Sequence, residues 1–568
     1  MKYENEHEVS DIPQCKWQFL GMKKTLILLA FFAFCHVSAQ KGISSADWQA
    51  DLRYLQKTVH DDYPFLFKKT TPEVFDTAIE ELYGKIPKLQ DHEVLVGLAK
   101  IVSLFKYGHT GVGFRDNPIP YHKLPMVIYQ FADGVYITGA HKKYGEIVGA
   151  KILKVEDRPI DEVLKAIYPV VPAENDQYFK AYGISYLTIP EVLHAQGITK
   201  TLQENITMQI EKDGKIFMSA VKATDELDFP LQYGEVKPAS DWVSARDLSN
   251  PPHYLKDLDQ IYYYEYLPEE KALYVRHSQI QDDPSEDIPS FFGRVFSFIE
   301  NNDVEKLVLD VRLNGGGNNY KNKPVVTGII ETKKINKTGK LYVIIGRRTF
   351  SAYQNLVNEL DNYTNVIFVG EPTAENINFY GDNKKVVLPN SGVPVYLSFA
   401  WWQDKPQWEN GPYTVPDVSV APSFEDYRLN RDPVLEKALG FDGSNFISDP
   451  MAYLRGLFEA NKIDLLKKEA VRLVNDSLYE NVDFESEFTR AGYSLLDADR
   501  QQEAIFVFEL TTALFPESDY CWYSLAEACL KAGDTTKAKE YYKKAIALNP
   551  KGSTANFAKS RLEKITSD

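Results

Sequence analysis

Three apolar runs constrain this chain most: Leu307-Val308-Leu309, Leu341-Tyr342-Val343-Ile344-Ile345 and Val366-Ile367-Phe368-Val369. Each is continuous rather than alternating, and helical patterns at 287–300 and 351–363 separate them. Strands that are apolar on both faces must be covered on both faces, which is the pattern of parallel β-α packing. A β/α body is therefore expected over 255–445.

The rest of the chain divides around that body. Residues 40–115 carry three helical stretches, with Thr71-Pro72 placing a cap and a proline at a helix start and Asp91 leading into Val94, Leu95, Leu98 and Ile101. From 116 to 245 the period shortens to that of strands, as in Val127-Ile128-Tyr129 and Gly134-Val135-Tyr136-Ile137. A helical connector is expected over 448–480. Over 481–568 there is an internal repeat: Ala504, Phe508 and Pro516 recur as Ala538, Tyr542 and Pro550, each offset by 34. A helix-turn-helix period of that length resembles tetratricopeptide repeats, with a further helix after Gly552 as the cap.

Composition narrows the function classes. The chain has 568 residues and a formal net charge of −16, so it lacks the basic field that nucleic-acid binding needs. Four cysteines exclude a disulfide-dense scaffold. Met22 to Gln40 reads as a secretory signal peptide, with Lys23-Lys24, an apolar run from Thr25 to Phe34 and small residues before Gln40. Residues 1–39 are thus expected to be an upstream extension and signal, with Met22 the better start. That places the remainder in the periplasm or at the cell surface, with no transmembrane span once the signal is removed. Beyond it only Cys521 and Cys529 remain, about 12 Å apart along one helix and too far for a bridge within it. No Cys/His cluster has zinc spacing, and no metal or cofactor is expected.

Three separated stretches carry chemistry. In Tyr107-Gly108-His109-Thr110 a histidine sits between a helix and a strand, where it can act as a base near neutral pH. Asp310-Val311-Arg312-Leu313-Asn314-Gly315-Gly316-Gly317 follows a buried strand, and its glycines let backbone N–H groups converge on an anion or a developing oxyanion. Gly346-Arg347-Arg348-Thr349-Phe350-Ser351-Ala352 runs from a strand into a helix, where Ser351 is either an exposed nucleophile or a plain N-cap.

Together the stretches resemble the tail-specific (C-terminal processing) and tricorn-core serine peptidases, in which a His-Thr pair, a PDZ-type module, a D-x-R-x-N-G-G-G strand end and a nucleophilic serine follow in that order. Val148 to Ile160 and the helix after it resemble part of the PDZ-type unit. Gly370-Glu371-Pro372-Thr373, Leu388-Pro389-Asn390-Ser391-Gly392 and Val415-Pro416-Asp417-Val418 resemble later segments. The implied fold class is α+β multidomain: a helical N-terminal domain, a PDZ-like module, a crotonase/ClpP-like β/α catalytic core and C-terminal tetratricopeptide repeats. The position where tail-specific members place a lysine falls on Asn376, whereas a tricorn-like set is filled by His109 and by Glu409 in Trp408-Glu409-Asn410-Gly411. The resemblance thus implies Ser351 as nucleophile, His109 as base and Glu409 as orienting acid, with an oxyanion hole from Gly315, Gly316 and Ala352. Arg312, Asn314 and Arg348, with Arg347, are candidate substrate contacts. The implied substrate is a peptide or unfolded protein, and the repeats are expected to take a protein partner. Two rival readings share this sequence: a non-catalytic binder on the same fold, as in retinoid carriers, and a scaffold whose working part is the repeat array.

Overall fold

A computed structural model describes residues 42–115, 117–480 and 482–567. The signal segment expected at Met22 to Gln40 lies outside them. From Ile43 onward the chain is one compact unit, and among the described residues no helix is long and apolar enough to cross a membrane.

The three apolar runs lie side by side. A six-stranded sheet orders Tyr262–Leu267, Ala272–His277, Lys306–Asp310, Leu341–Ile345, Val366–Gly370 and Val418–Ser419, antiparallel in the first pair and parallel thereafter. Every residue of Leu341–Ile345 and of Val366–Gly370 is buried. One face packs on the helices Ile288–Asn301, Lys323–Glu331 and Ala352–Tyr363 through Val295, Ile329 and Leu356. The other face packs on Pro433–Gly440 through Val434, Leu435 and Ala438. In such sheets, sites form beyond the carboxyl ends of the strands. Here the loops leaving three successive strands there are 311–318, 346–351 and 371–378.

The N-terminal helices are Ser45–Asp62, Pro72–Lys85 and Asp91–Ser103. Thr71 caps the second by accepting from the Val74 N–H, with Pro72 in its first turn. Buried Asp51 reaches across the molecule, accepting from the backbone N–H groups of Asn390 and Ser391 at 2.9 and 2.7 Å. Asn390 and Ser391 form the turn of a hairpin, Phe379–Val387 with Pro394–Trp402, whose second strand also pairs with Gly111–Val112. That pairing fixes the segment just after His109.

Residues 116–245 are built on a seven-stranded sheet that includes Met126–Phe131, Gly134–His141, Lys151–Val155, Asn205–Lys212 and Lys215–Lys222. Sequence patterning reads this region as strands with one helix. Ile160–Ile167 is that helix; before the next strand the chain also inserts Tyr168–Val170, Asp176–Ala181, Gly183–Thr188 and Pro190–Ala195, all helical or 3₁₀. Most of these pieces are six residues long, too short to show a helical period.

After the core, Pro450–Glu459 and Ile463–Val474 form a hairpin packed on Phe484, Phe488 and Leu510. Then come Phe484–Asp497 with Gln501–Leu514, Asp519–Lys531 with Thr535–Leu548, and Ser553–Ser567. The repeating small residues do what the period requires. An added Cβ at Gly492 would lie 2.5 Å from the Phe508 ring, so the helices cross there only because the position is glycine. Cys521 and Cys529 are free and buried.

Candidate active site

The loop that follows Leu341–Ile345 turns sharply into a helix at Ser351, which has φ 58° and ψ −129°. A side-chain-bearing residue held there costs about 1–3 kcal/mol and persists only when its surroundings enforce it. Three backbone N–H groups do so: Phe350 donates to the Asn314 carbonyl at 3.2 Å, Ala374 to the Thr349 carbonyl at 3.0 Å, and Ser351 itself to Glu375 Oε2 at 3.0 Å. The Ser351 hydroxyl makes no cap hydrogen bond to its helix. Its Oγ lies instead 2.9 Å from His109 Nε2. The plain N-cap reading of this serine is thereby removed.

His109 is held as a plate. Its ring stacks on Phe350 with centroids 4.6 Å apart and lies nearly parallel to the Phe379 ring at 6.1 Å. Thr110 Oγ1 donates to Ser398 Oγ at 2.7 Å and accepts from the Ser398 N–H at 3.0 Å, pinning the histidine's neighbour to the hairpin strand. Burial pulls the imidazole below its ordinary pKa, and the negative charge of Glu174 pulls it partly back. The ring is thus neutral, and able to accept a proton, at neutral pH.

Glu409 does not join them. It sits at the end of the 3₁₀ turn Gln407–Glu409 with a side chain 47% exposed, 3.5 Å from Lys405, in a surface pocket with Arg455, Glu487 and Arg490. A carboxylate solvated and paired in that way has no reason to face an apolar-walled imidazole. The group beside His109 Nδ1 is Glu375 Oε2, at 3.7 Å. Glu375 and Glu174 are both buried, and one polar atom from each lies within 4.8 Å of a His109 nitrogen. Glu174 Oε1 accepts from the Gly108 N–H at 2.7 Å, and its Oε2 accepts from the N–H of Asn376 at 3.1 Å and from the Asn376 side-chain amide. Three donors suit a carboxylate. Glu375 Oε1, by contrast, has no donor, and burial followed by the Glu174 charge pushes its carboxyl well above the usual range. Two carboxyls this close hold one proton between them, and the donors place it on Glu375 and the charge on Glu174.

Neither carboxylate is announced by the sequence. Glu375 lies one residue before Asn376, the place where a catalytic lysine is sought, and Glu174 lies in the unanticipated helical insertion. Among the described residues His109, Glu174 and Glu375 form a group of metal-ligand type, but the carboxylate oxygens are largely engaged by Gly108, Asn376 and Ser351, so the cluster closes on its own protons.

The glycine loop abuts the serine. Gly316 has φ +109°, and a Cβ there would come within 2.7 Å of Ser351 Cβ and 3.2 Å of the Ala352 nitrogen. Its N–H is turned back onto Asn314 Oδ1 at 2.9 Å, so Gly316 is committed to shaping the loop. The N–H groups of Gly315 and of Ala352, the latter at a helix N-terminus, donate to no protein group among the described residues. Of the three N–H groups expected to form an oxyanion hole, these are the two left without a protein acceptor.

The expected substrate contacts separate in the same way. Asn314 is fully buried, and its amide donates to the His277 carbonyl at 2.8 Å, so it holds the loop and touches no cleft. Arg312 is locked between Asp310 and Asp432, with bonds of 2.7–3.0 Å to each. Of the expected substrate contacts only Arg348 lines an open cavity with no charged partner among the described residues.

The model of the tetratricopeptide repeat matches residues 520–551. No curated protein matches the chain in sequence. Among solved structures it is similar to mature CPAF, with a TM-score of 0.49 and 14% identity over 70% of this chain and 96% of that one. It is also similar to the photosystem II D1 C-terminal processing protease, with a TM-score of 0.32 and 13% identity over 68% and 98%. A protein described as an S41 protease from Bacteroides fragilis is similar at a TM-score of 0.28 and 14% identity over 58% and 84%. The structural neighbours of this chain include a C-terminal processing protease and an S41 protease, and its C-terminal region carries a tetratricopeptide repeat.

Proposed function

We propose that this chain is an exported serine endopeptidase that works through an acyl-enzyme. The observation that carries the proposal is the 2.9 Å contact between His109 Nε2 and the hydroxyl of Ser351, a serine held at positive φ on a strand-to-helix turn. Ser351 Oγ attacks the carbonyl carbon of a peptide bond as its proton passes to His109 Nε2. The carbonyl oxygen becomes an oxyanion facing the N–H groups of Ala352 and Gly315. The C–N bond then breaks, the leaving amine takes the proton from His109, and an ester remains on Ser351. Water attacks that ester with His109 again as base, releasing the acid and restoring the hydroxyl. The imidazolium formed in each half is met by the Glu174–Glu375 pair, which carries one negative charge. Arrival of substrate is expected to tighten the 3.7 Å approach of His109 to Glu375, since catalytic hydrogen bonds are often long in free enzymes.

Export follows from the segment at Met22 to Gln40. The seven-stranded module is taken as the PDZ-like peptide seat, and the helical repeats as the docking arm for a protein partner. The test is labelling by a serine-reactive fluorophosphonate alongside cleavage of casein, in the full exported chain. Wild type is expected to label and to cleave, Ser351→Ala to do neither, and His109→Ala to label far more slowly. A folded wild type that neither labels nor cleaves refutes the enzyme and leaves the binding-protein reading.

A further inference from the structure

Arg348 stands three residues before the nucleophile and lines a cavity of about 300 Å³ between the seven-stranded module and the catalytic core. Three arginines face this space. Arg312 is bound by Asp310 and Asp432. Arg347 forks onto Glu371 and also donates to the Gln130 carbonyl at 2.5 Å. Arg348 has neither. Its guanidinium lies 5.0 Å from the centre of the Tyr182 ring, its Nε is buried with no hydrogen-bond partner, and its Nη1 has only a 3.5 Å approach to the Ala181 carbonyl. Two lysines, Lys123 and Lys180, line the same cavity. Among the described residues none of these three cations has a carboxylate within 4.0 Å. The cavity's own acids are engaged elsewhere: Glu371 by Arg347, and Glu235 by the Tyr427 hydroxyl at 3.1 Å and by Arg246 at 3.7 Å.

The cavity adjoins the reacting serine. The Tyr182 hydroxyl donates to the Arg348 carbonyl at 3.2 Å and lies 3.2 Å from where a Cβ on Gly315 would stand, and its ring packs 5.7 Å from that of Phe350. One wall is therefore shared between the cavity and the glycine loop. A half-buried guanidinium with unused donors is an expensive feature unless an anion completes it. The volume, at the small end of the range of about 300–1,000 Å³ for ligand pockets, suits one side chain rather than a second folded surface.

We propose that this cavity selects an acidic side chain of the peptide substrate, with Arg348 as the specificity-determining residue and Lys180 and Lys123 adding to the positive field. The proposal rests on the peptidase reading above. Its experiment is therefore run in two arms. In the first, quenched fluorescent peptides carrying Asp or Asn, and Glu or Gln, at each position around the scissile bond are compared, each with a free and with an amidated C-terminus. One charge-assisted pair supports a preference of about 10- to 100-fold in kcat/KM for the acidic side chain. In Arg348→Ala that ratio is expected to fall to within about threefold of unity. In the second arm, the same peptides are titrated by fluorescence anisotropy into Ser351→Ala protein, with and without Arg348→Gln. This reads the cavity even if no bond is ever cut. Asp peptides should bind more tightly than Asn peptides, and Arg348→Gln should remove the difference. A preference that survives both Arg348 substitutions overturns the proposal. So does one that tracks the free C-terminus instead of the side chain, or the absence of any Asp/Asn difference in Ser351→Ala protein that keeps Arg348 and whose thermal unfolding matches wild type. Failure of cleavage with the binding difference intact refutes the peptidase and leaves the anion site standing.

Discussion

Exchanging each buried glutamate for glutamine separates two ways in which acids can serve a histidine. If Glu375 is the ionised partner of His109, Glu375→Gln removes the charge and fixes the wrong tautomer. The corresponding change in a serine protease triad costs about 10⁴ in kcat. The structure points the other way. Burial and the Glu174 charge raise the Glu375 carboxyl, so the group is already neutral. A glutamine keeps an oxygen for the Ser351 N–H, which Glu375 binds at 3.0 Å, and offers an N–H to Glu174 where the shared proton was. Glu375→Gln is therefore expected to retain activity within about tenfold, one net hydrogen-bond adjustment of about 1 kcal/mol. Glu174→Gln removes the one charge in the cluster. At the 4.8 Å that bounds the group, and an effective dielectric of about 20, that charge stabilises the imidazolium by about 3 kcal/mol. Its loss should slow acylation by roughly two orders of magnitude. The assay is the second-order rate of fluorophosphonate labelling from pH 5 to 9, which needs no known substrate. Burial lowers the His109 pKa, so the wild-type acid limb should fall below the ordinary imidazole value of about 6.5, and Glu174→Gln should move it lower still. A larger loss in Glu375→Gln than in Glu174→Gln refutes this distribution of proton and charge.

Three further outcomes are expected. Gly316→Ala places a methyl 2.7 Å from Ser351 Cβ at φ +109° and should abolish labelling at Ser351; a wild-type labelling rate would show that the loop does not bear on the nucleophile as described. Arg312→Ala strands two buried carboxylates, Asp310 and Asp432, and should destabilise by about 3–5 kcal/mol. Denaturant titration should show the shift, and an unmoved midpoint would contradict the structural role of this arginine. Asp417 is half-buried, accepts from the Phe368 N–H at 2.7 Å, and has its carboxyl pushed up to about 7 by desolvation. Because its folded value lies above its unfolded one, its contribution is complete below about pH 4 and is lost as pH rises through 7. Asp417→Asn should thus melt higher than wild type at pH 8 by more than it does at pH 5, and a difference of the opposite sign rules out a neutral acid at this position.

Much of this architecture is legible in the order of residues. Continuous apolar runs place Lys306–Asp310, Leu341–Ile345 and Val366–Gly370 in a sheet covered on both faces, and the recurrence of Ala504 and Phe508 as Ala538 and Tyr542 marks the helical repeat. Ser351 and His109 are visible too, because a turn between two regular elements announces itself within a few residues. What the sequence could not supply is the company those residues keep. His109 and Ser351 are 242 positions apart, Gly108 and Glu174 are 66 apart, and Glu174 and Asn376 are 202 apart. The choice among acids was made by burial: Glu409 is solvated and held by Lys405, while Glu375 and Glu174 are sealed behind His109, where one charge must do for two carboxyls. The same holds for the arginines. Arg312, Arg347 and Arg348 look alike in sequence, and only the packing that brings Asp432 to the first and Glu371 to the second leaves the third unpaired. Local periodicity is encoded in neighbours along the chain, whereas a charge acquires its partner, its proton and its function only from the surfaces that the fold closes around it.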